Sequence, residues 1–247
     1  MLFFNNQKQK NAGEQNTVWK RNESLSTASL DRPEGIRIVH NMIILDESGS
    51  MCSVHRKAIE SVNSTLATIR QAQERYPSQK HTVSLMTFNS EQLSLFHVNT
   101  PVGNVADMAL NEYSPEGCTP LYDAVGKGVT QLRTQVEPYD VVLVTIITDG
   151  YENSSVEYTG ASIHALIDKM RGEGWVFAFM GANIDVEAVS KSMGIENCLE
   201  FERSEVGIDD MNVRHTRSRR KLYDRIEELE CDEMPCCKKL DSNFFGE

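Results

Sequence analysis

Two stretches of this 247-residue chain limit its fold more than any other: IRIVHNMIILD at 36–46 and DVVLVTIITDG at 140–150. Both are rich in Val, Ile, Leu and Met, both reach an aspartate at their far end, and neither alternates strictly with polar residues. A strand with one wet face alternates, whereas a strand covered on both faces does not. Both runs therefore read as central strands of a mostly parallel sheet with helices above and below.

The intervening segments carry helical spacing. Ile59, Val62, Leu66 and Ile69 predict a helix over 51–75, Leu121, Val125, Val129 and Leu132 one over 120–134, and Ile163, Leu166, Ile167 and Met170 one over 160–171. Further strands are predicted at 82–88, 92–98, 175–181 and 198–202, with a short helix at 185–193. Asn89-Ser90-Glu91 between the first two suits a tight hairpin, which makes 92–98 an antiparallel edge strand. Strands alternating with helices imply right-handed crossovers, hence an α/β, Rossmann-like, doubly wound sheet with helices on both faces.

The ends differ in character. Residues 1–35 are rich in Asn, Gln, Ser, Lys and Glu without a period, as a disordered tail would be. The domain proper is expected over 36–203. Over 204–247 the chain is highly charged, and Ile208, Met211, Leu222, Ile226 and Leu229 give one helix a thin apolar stripe for packing on the domain, followed by a tail. The basic run RHTRSRRK at 214–221 reads as a solvated helix face.

Charge and composition narrow the function. Asp and Glu number 36 against 25 Lys and Arg, a formal charge of −11, which argues against nucleic acid as the main partner. No apolar run approaches the roughly 20 residues that span a bilayer, and the opening apolar run is too short for a secretory signal, so a cytoplasmic location without membrane attachment is expected. The six cysteines are then reduced thiols. Cys231, Cys236 and Cys237 with His215 form a weak zinc candidate, because no C-x-x-C pair is present. Cys52 and Cys118 are expected to be partly buried and without a role.

In an open α/β sheet, ligands bind beyond the carboxyl ends of the strands. Three loops belong there: Asp46-Glu47-Ser48-Gly49-Ser50, Gly117-Cys118-Thr119-Pro120 and Thr148-Asp149-Gly150. Taken singly, each reads as a helix cap or a turn. Together they bring two carboxylates and three hydroxyls to one edge, a set of hard oxygen donors suited to Mg²⁺, Mn²⁺ or Ca²⁺ rather than zinc.

Asp46-x-Ser48-x-Ser50, then Thr119, then Asp149, resembles the metal-ion-dependent adhesion site (MIDAS) of von Willebrand factor type A (vWA) domains. The resemblance runs from about Ile36 to Phe201, and Thr119-Pro120-Leu121-Tyr122 and the 174–183 segment GWVFAFMGAN are most similar to compact bacterial intracellular members. It implies strand order 3-2-1-4-5-6, with Ser48, Ser50 and Thr119 as hydroxyl ligands of Mg²⁺ and Asp46 and Asp149 acting directly or through water. It also implies a non-catalytic adaptor in which a protein partner supplies an Asp or Glu to the metal. By analogy with intracellular members, that partner is an AAA+ ATPase or a stress-response component.

Two alternatives stand beside it, a metal-dependent phosphatase-like hydrolase and a scaffold with a non-functional metal site. The phosphatase chemistry wants a second carboxylate two positions after the nucleophile, where this chain has Ser48. There is no phosphate-binding G-x-x-x-x-G-K-[ST] loop, no H-E-x-x-H and no G-x-S-x-G elbow.

Overall fold

A computed structural model describes residues 35–229, residue 240 and residues 244–246. Residues 1–34 of the predicted tail over 1–35, and Cys231, Cys236 and Cys237 of the zinc candidate, lie outside these residues. Six strands, β1 (Arg37–Asp46), β2 (Gln79–Phe88), β3 (Leu93–Pro101), β4 (Val141–Thr148), β5 (Val176–Ala182) and β6 (Cys198–Phe201), form one sheet in the order β3-β2-β1-β4-β5-β6. All neighbours pair in parallel except β2 and β3. This is the doubly wound topology expected from the alternation of elements, with its one antiparallel edge.

Among the described residues five α-helices cover the sheet: α1 (His55–Arg75), α2 (Leu121–Arg133), α3 (Gly160–Gly172), α4 (Val186–Ser192) and α5 (Glu205–Glu227). Every residue of β1 is buried, and its side chains divide by the two-residue period of a strand. Val39, Ile43 and Leu45 join Val62, Leu66 and Ile69 of α1 and Leu222 and Ile226 of α5 in one core. Met42 and Ile44 join Leu121 and Val125 of α2 and Ile163 and Ile167 of α3 in the other. The absence of alternation in β1 and β4 follows from this double cover.

The structure adjusts the sequence expectations at several points. The segment expected to begin a helix at 51 starts as a 3₁₀ turn, Gly49–Val54, and the α-helix begins at His55. The motif serines are thus held by a tight turn rather than by the first turn of α1. β2 begins at Gln79 instead of 82, its polar start pinned by Gln79 Nε2 donating to the Tyr223 carbonyl at 3.0 Å. Cys52 and Cys118 are exposed, not partly buried, although the Cys52 thiol donates to the Pro115 carbonyl at 3.2 Å.

The basic run is not a solvated face throughout. Arg219 is fully buried, and His215 nearly so. Arg219 donates to Asn41 Oδ1 on β1 at 2.8 Å, to Thr145 Oγ1 on β4 at 2.7 Å and to the Tyr223 hydroxyl at 3.0 Å. No helix among the described residues is long and apolar enough to cross a membrane.

Candidate functional site

β1 and β4 lie side by side, with Leu45 opposite Ile147, so the chain leaves both strands at the same rim of the sheet. Asp46, the last residue of β1, is fully buried. Its Oδ1 accepts the Ser48 amide at 2.7 Å and its Oδ2 accepts the Thr148 hydroxyl at 2.5 Å. Burial pushes the Asp46 carboxyl up to about 6; hydrogen bonds from Thr148 and Ser48 oppose that push, and the nearby Asp149 carboxylate adds to it. The rim therefore concentrates negative charge where water cannot easily stabilise it.

The two motif serines point to the same place. Ser48 Oγ and Ser50 Oγ are 3.1 Å apart, and the Ser50 hydroxyl donates to Asp149 Oδ1. Asp149 is also buried, and its Oδ2 faces Arg203 Nη1 at 3.2 Å. Ser50 itself is exposed, so the cluster opens to solvent at that side.

Thr119 arrives from a different part of the chain. Its amide donates to Asn153 Oδ1 at 2.8 Å, and its carbonyl accepts the Asn153 amide at 3.2 Å. The space beside Gly150 shows where its hydroxyl sits. A Cβ on Gly150 would lie 2.8 Å from Thr119 Oγ1 and 3.6 Å from Asp46 Oδ2. The backbone of Gly150 thus leaves room that Thr119 Oγ1 and Asp46 Oδ2 share, and a methyl group there would displace the hydroxyl.

A buried lattice of hydrogen bonds fixes the three loops. Glu47, inside the motif, accepts the Thr87 hydroxyl and the Ser114 amide, each at 2.5 Å. Gly49 N–H donates to the Gly117 carbonyl at 3.1 Å, tying the first loop to the Thr119 loop. Gly117 has φ +70, and a Cβ there would run into the Ser90 hydroxyl that accepts nothing bulkier than the Cys118 amide at 2.9 Å. The Tyr113 hydroxyl donates to the Asp46 carbonyl at 2.5 Å, and burial holds that phenol well above its ordinary pKa.

All five residues singled out in the sequence thus lie at one rim, Asp46 as the last residue of β1 and the others in the segments beside it, and contacts link Asp46, Ser48, Ser50 and Asp149 directly. Sequence reasoning missed Glu47, Tyr113, Asn153 and Arg203. Glu47 stood in plain view as the residue beside Asp46. The other three come from segments whose placement only the folded chain supplies.

Structural comparison agrees with the fold. The chain is similar to a von Willebrand factor type A protein from Catenulispora acidiphila, at 15% identity and TM-score 0.57 over 74% of this chain and 42% of that one. The pilus adhesin SpaC from Lactobacillus rhamnosus GG, in its open conformation, aligns at 12% identity and TM-score 0.55, covering 74% of this chain and 30% of that one. The SpRpn10 VWA domain aligns at 12% identity and TM-score 0.53, over 71% of this chain and 93% of that domain.

The chain has a von Willebrand factor type A fold. At these identities the likeness concerns the vWA fold alone, and the chain spans less than half the length of the first two proteins. No protein-family model and no curated relative matches the sequence. Within the vWA fold, the rim that carries Asp46, Ser48, Ser50, Thr119 and Asp149 is the carboxyl edge of the strands, where open α/β sheets place their ligands.

Proposed function

We propose that this rim holds a divalent cation, Mg²⁺ by preference, and that the chain is a non-catalytic module that docks onto a protein partner through it. Ser48, Ser50 and Thr119 would supply neutral hydroxyl ligands, and Asp46 and Asp149 would orient the remaining shell directly or through water. The observation that carries the reading is the convergence of Ser48 Oγ, Ser50 Oγ and Asp149 Oδ1 in one hydrogen-bonded chain, with Thr119 Oγ1 and Asp46 Oδ2 both bordering the space at Gly150. Asp46 and Asp149 are both buried, the charge of Asp149 adds to the upward push on the Asp46 carboxyl, and such a pair gains from a cation; an all-oxygen donor set suits a hard one.

Neutral hydroxyl ligands leave the ion's charge incompletely neutralised, so a carboxylate from a partner completes the shell. Such a module acts as an adaptor in an intracellular complex, and an AAA+ ATPase or a stress-response component is the kind of partner in view. Calorimetry with Mg²⁺ and with Mn²⁺ tests the site: binding heat in the wild type that disappears in the Ser48→Ala/Ser50→Ala double variant supports it, and equal heats overturn it. A pull-down with and without EDTA, alongside Asp149→Ala, tests the docking, because a metal-mediated partner is lost in both arms.

A further inference from the structure

α1 begins beside the motif serines and ends at Arg75, and 21 helical residues at 1.5 Å each place its far end roughly 30 Å from the rim. α1 and α5 border a groove of about 520 Å³ that runs from Ser64, in the middle of α1, to Arg75 at its far end. Four of its lining side chains are cations, Arg75, Arg217, Arg220 and Lys221, against a single acid, Asp224. This is a net positive surface on a molecule whose formal charge is −11.

The acid is already engaged. Asp224 accepts the Tyr76 hydroxyl and lies 3.5 Å from Arg75. Arg220 donates to Gln71 Oε1 at 2.8 Å and Lys221 to the Gly246 carbonyl at 3.1 Å, neutral acceptors, and neither cation has an ion pair among the described residues. Arg217 is exposed and has no ion pair among the described residues. An unpaired guanidinium at the mouth of a groove is a fork-shaped donor matched to carboxylates.

We propose that the groove between α1 and α5 is a second docking site, specific for an acidic, carboxylate-rich segment of a protein partner and independent of the metal. Charge complementarity selects the sign of the occupant. The groove's neutral lining, Asn212 and Thr216 with the exposed Val213 at the edge, selects a peptide over a nucleic acid. A peptide backbone needs amide and hydroxyl partners beside its charged side chains. A phosphodiester strand would continue beyond a short groove onto a surface that repels it.

The test is fluorescence anisotropy with a labelled peptide of about ten alternating Asp and Glu residues, with a labelled oligothymidylate of equal length in parallel. The wild type is expected to bind the peptide, with affinity falling as salt rises from about 50 to 500 mM. Arg217→Glu/Arg220→Glu is expected to weaken it about ten-fold or more. EDTA and Asp149→Ala leave this binding unchanged, so failure of the metal site and failure of the groove are read separately. Absence of peptide binding, equal binding by the double variant, or tighter binding of the oligonucleotide would overturn the proposal. So would a self-association that the same double variant abolishes in sedimentation, since the occupant would then be a second copy of the chain. If the double variant loses its melting transition, Arg217→Gln alone, at an exposed position with no ion pair among the described residues, carries the same comparison with an expected loss of about three-fold or more.

Discussion

At the scale of single residues, Arg203 and Gly150 most directly tune the proposed cation site. Arg203 sits 3.2 Å from Asp149 Oδ2 and is about one-third exposed, so it acts as a resident cation that an incoming ion must compete with. Arg203→Gln is expected to tighten Mg²⁺ binding in calorimetry by about two- to five-fold, which is what roughly 0.5–1 kcal/mol of relieved competition from a partly exposed pair amounts to. Gly150→Ala works in the opposite direction. Its methyl would meet Thr119 Oγ1 at 2.8 Å, so Mg²⁺ affinity should drop while the fold, read by circular dichroism, stays intact. Arg219 contributes to stability outside the apolar core through its buried hydrogen bonds. Arg219→Ala would leave the Thr145 and Tyr223 hydroxyls without their buried donor, leave Asn41 Oδ1 with the Tyr223 hydroxyl alone and open a void, and a loss of about 3 kcal/mol or more is expected in urea unfolding.

At the scale of elements, the docking of α5 on the sheet shows both the reach and the limits of sequence reasoning. The stripe Ile208, Met211, Leu222 and Ile226 is buried as its spacing implies. His215 and Arg219 fall on the same helical face, at the phase that the stripe itself defines, and their polarity concealed what the period revealed. Nothing local signals that Asn41 and Thr145, polar interruptions on two apolar strands, are the acceptors waiting for that arginine. Under α5, desolvation lowers the pKa of His81 to about 3 and that of His215 well below 6.5, and the charge of Arg219 adds to both shifts.

A histidine whose folded pKa lies below its unfolded one takes up its proton on unfolding. Its contribution to stability is present above about pH 6.5 and is lost as the pH falls toward 3. The acid limb of a stability profile should therefore steepen below pH 6.5, by up to about 1.4 kcal/mol per pH unit for each histidine. His81→Phe, which keeps a ring against Tyr223, should flatten that limb without steepening the alkaline one.

At the scale of the whole molecule, the fold was legible because its strands are covered twice and its helices are amphipathic, which turns layer architecture into a readable pattern. The convergence of the five candidate residues was legible for another reason: Asp46, Ser48, Ser50 and Asp149 stand at or just beyond the ends of β1 and β4, and Thr119 stands just before α2, at the rim where topology brings distant loops together. The supports were less so: Tyr113 and Arg203 reach the rim from loops with no period, and the basic groove arises only once α1 and α5 are side by side. If the rim binds Mg²⁺, the whole domain should gain stability from it. At a hundred-fold excess over the dissociation constant, about 2.7 kcal/mol is expected, raising the melting temperature by roughly 5–10 °C in a manner that EDTA reverses.

The two outer strands carry a further implication. β3 is bulged against β2 at two places and ends in a proline, and β6 is only four residues long with Glu200 exposed at its centre. Neither border offers another polypeptide a long straight ladder of amides and carbonyls to zip onto. Edge-to-edge pairing of this sheet with another chain is thereby discouraged, so that binding at either proposed site would fall to side chains instead of shared backbone.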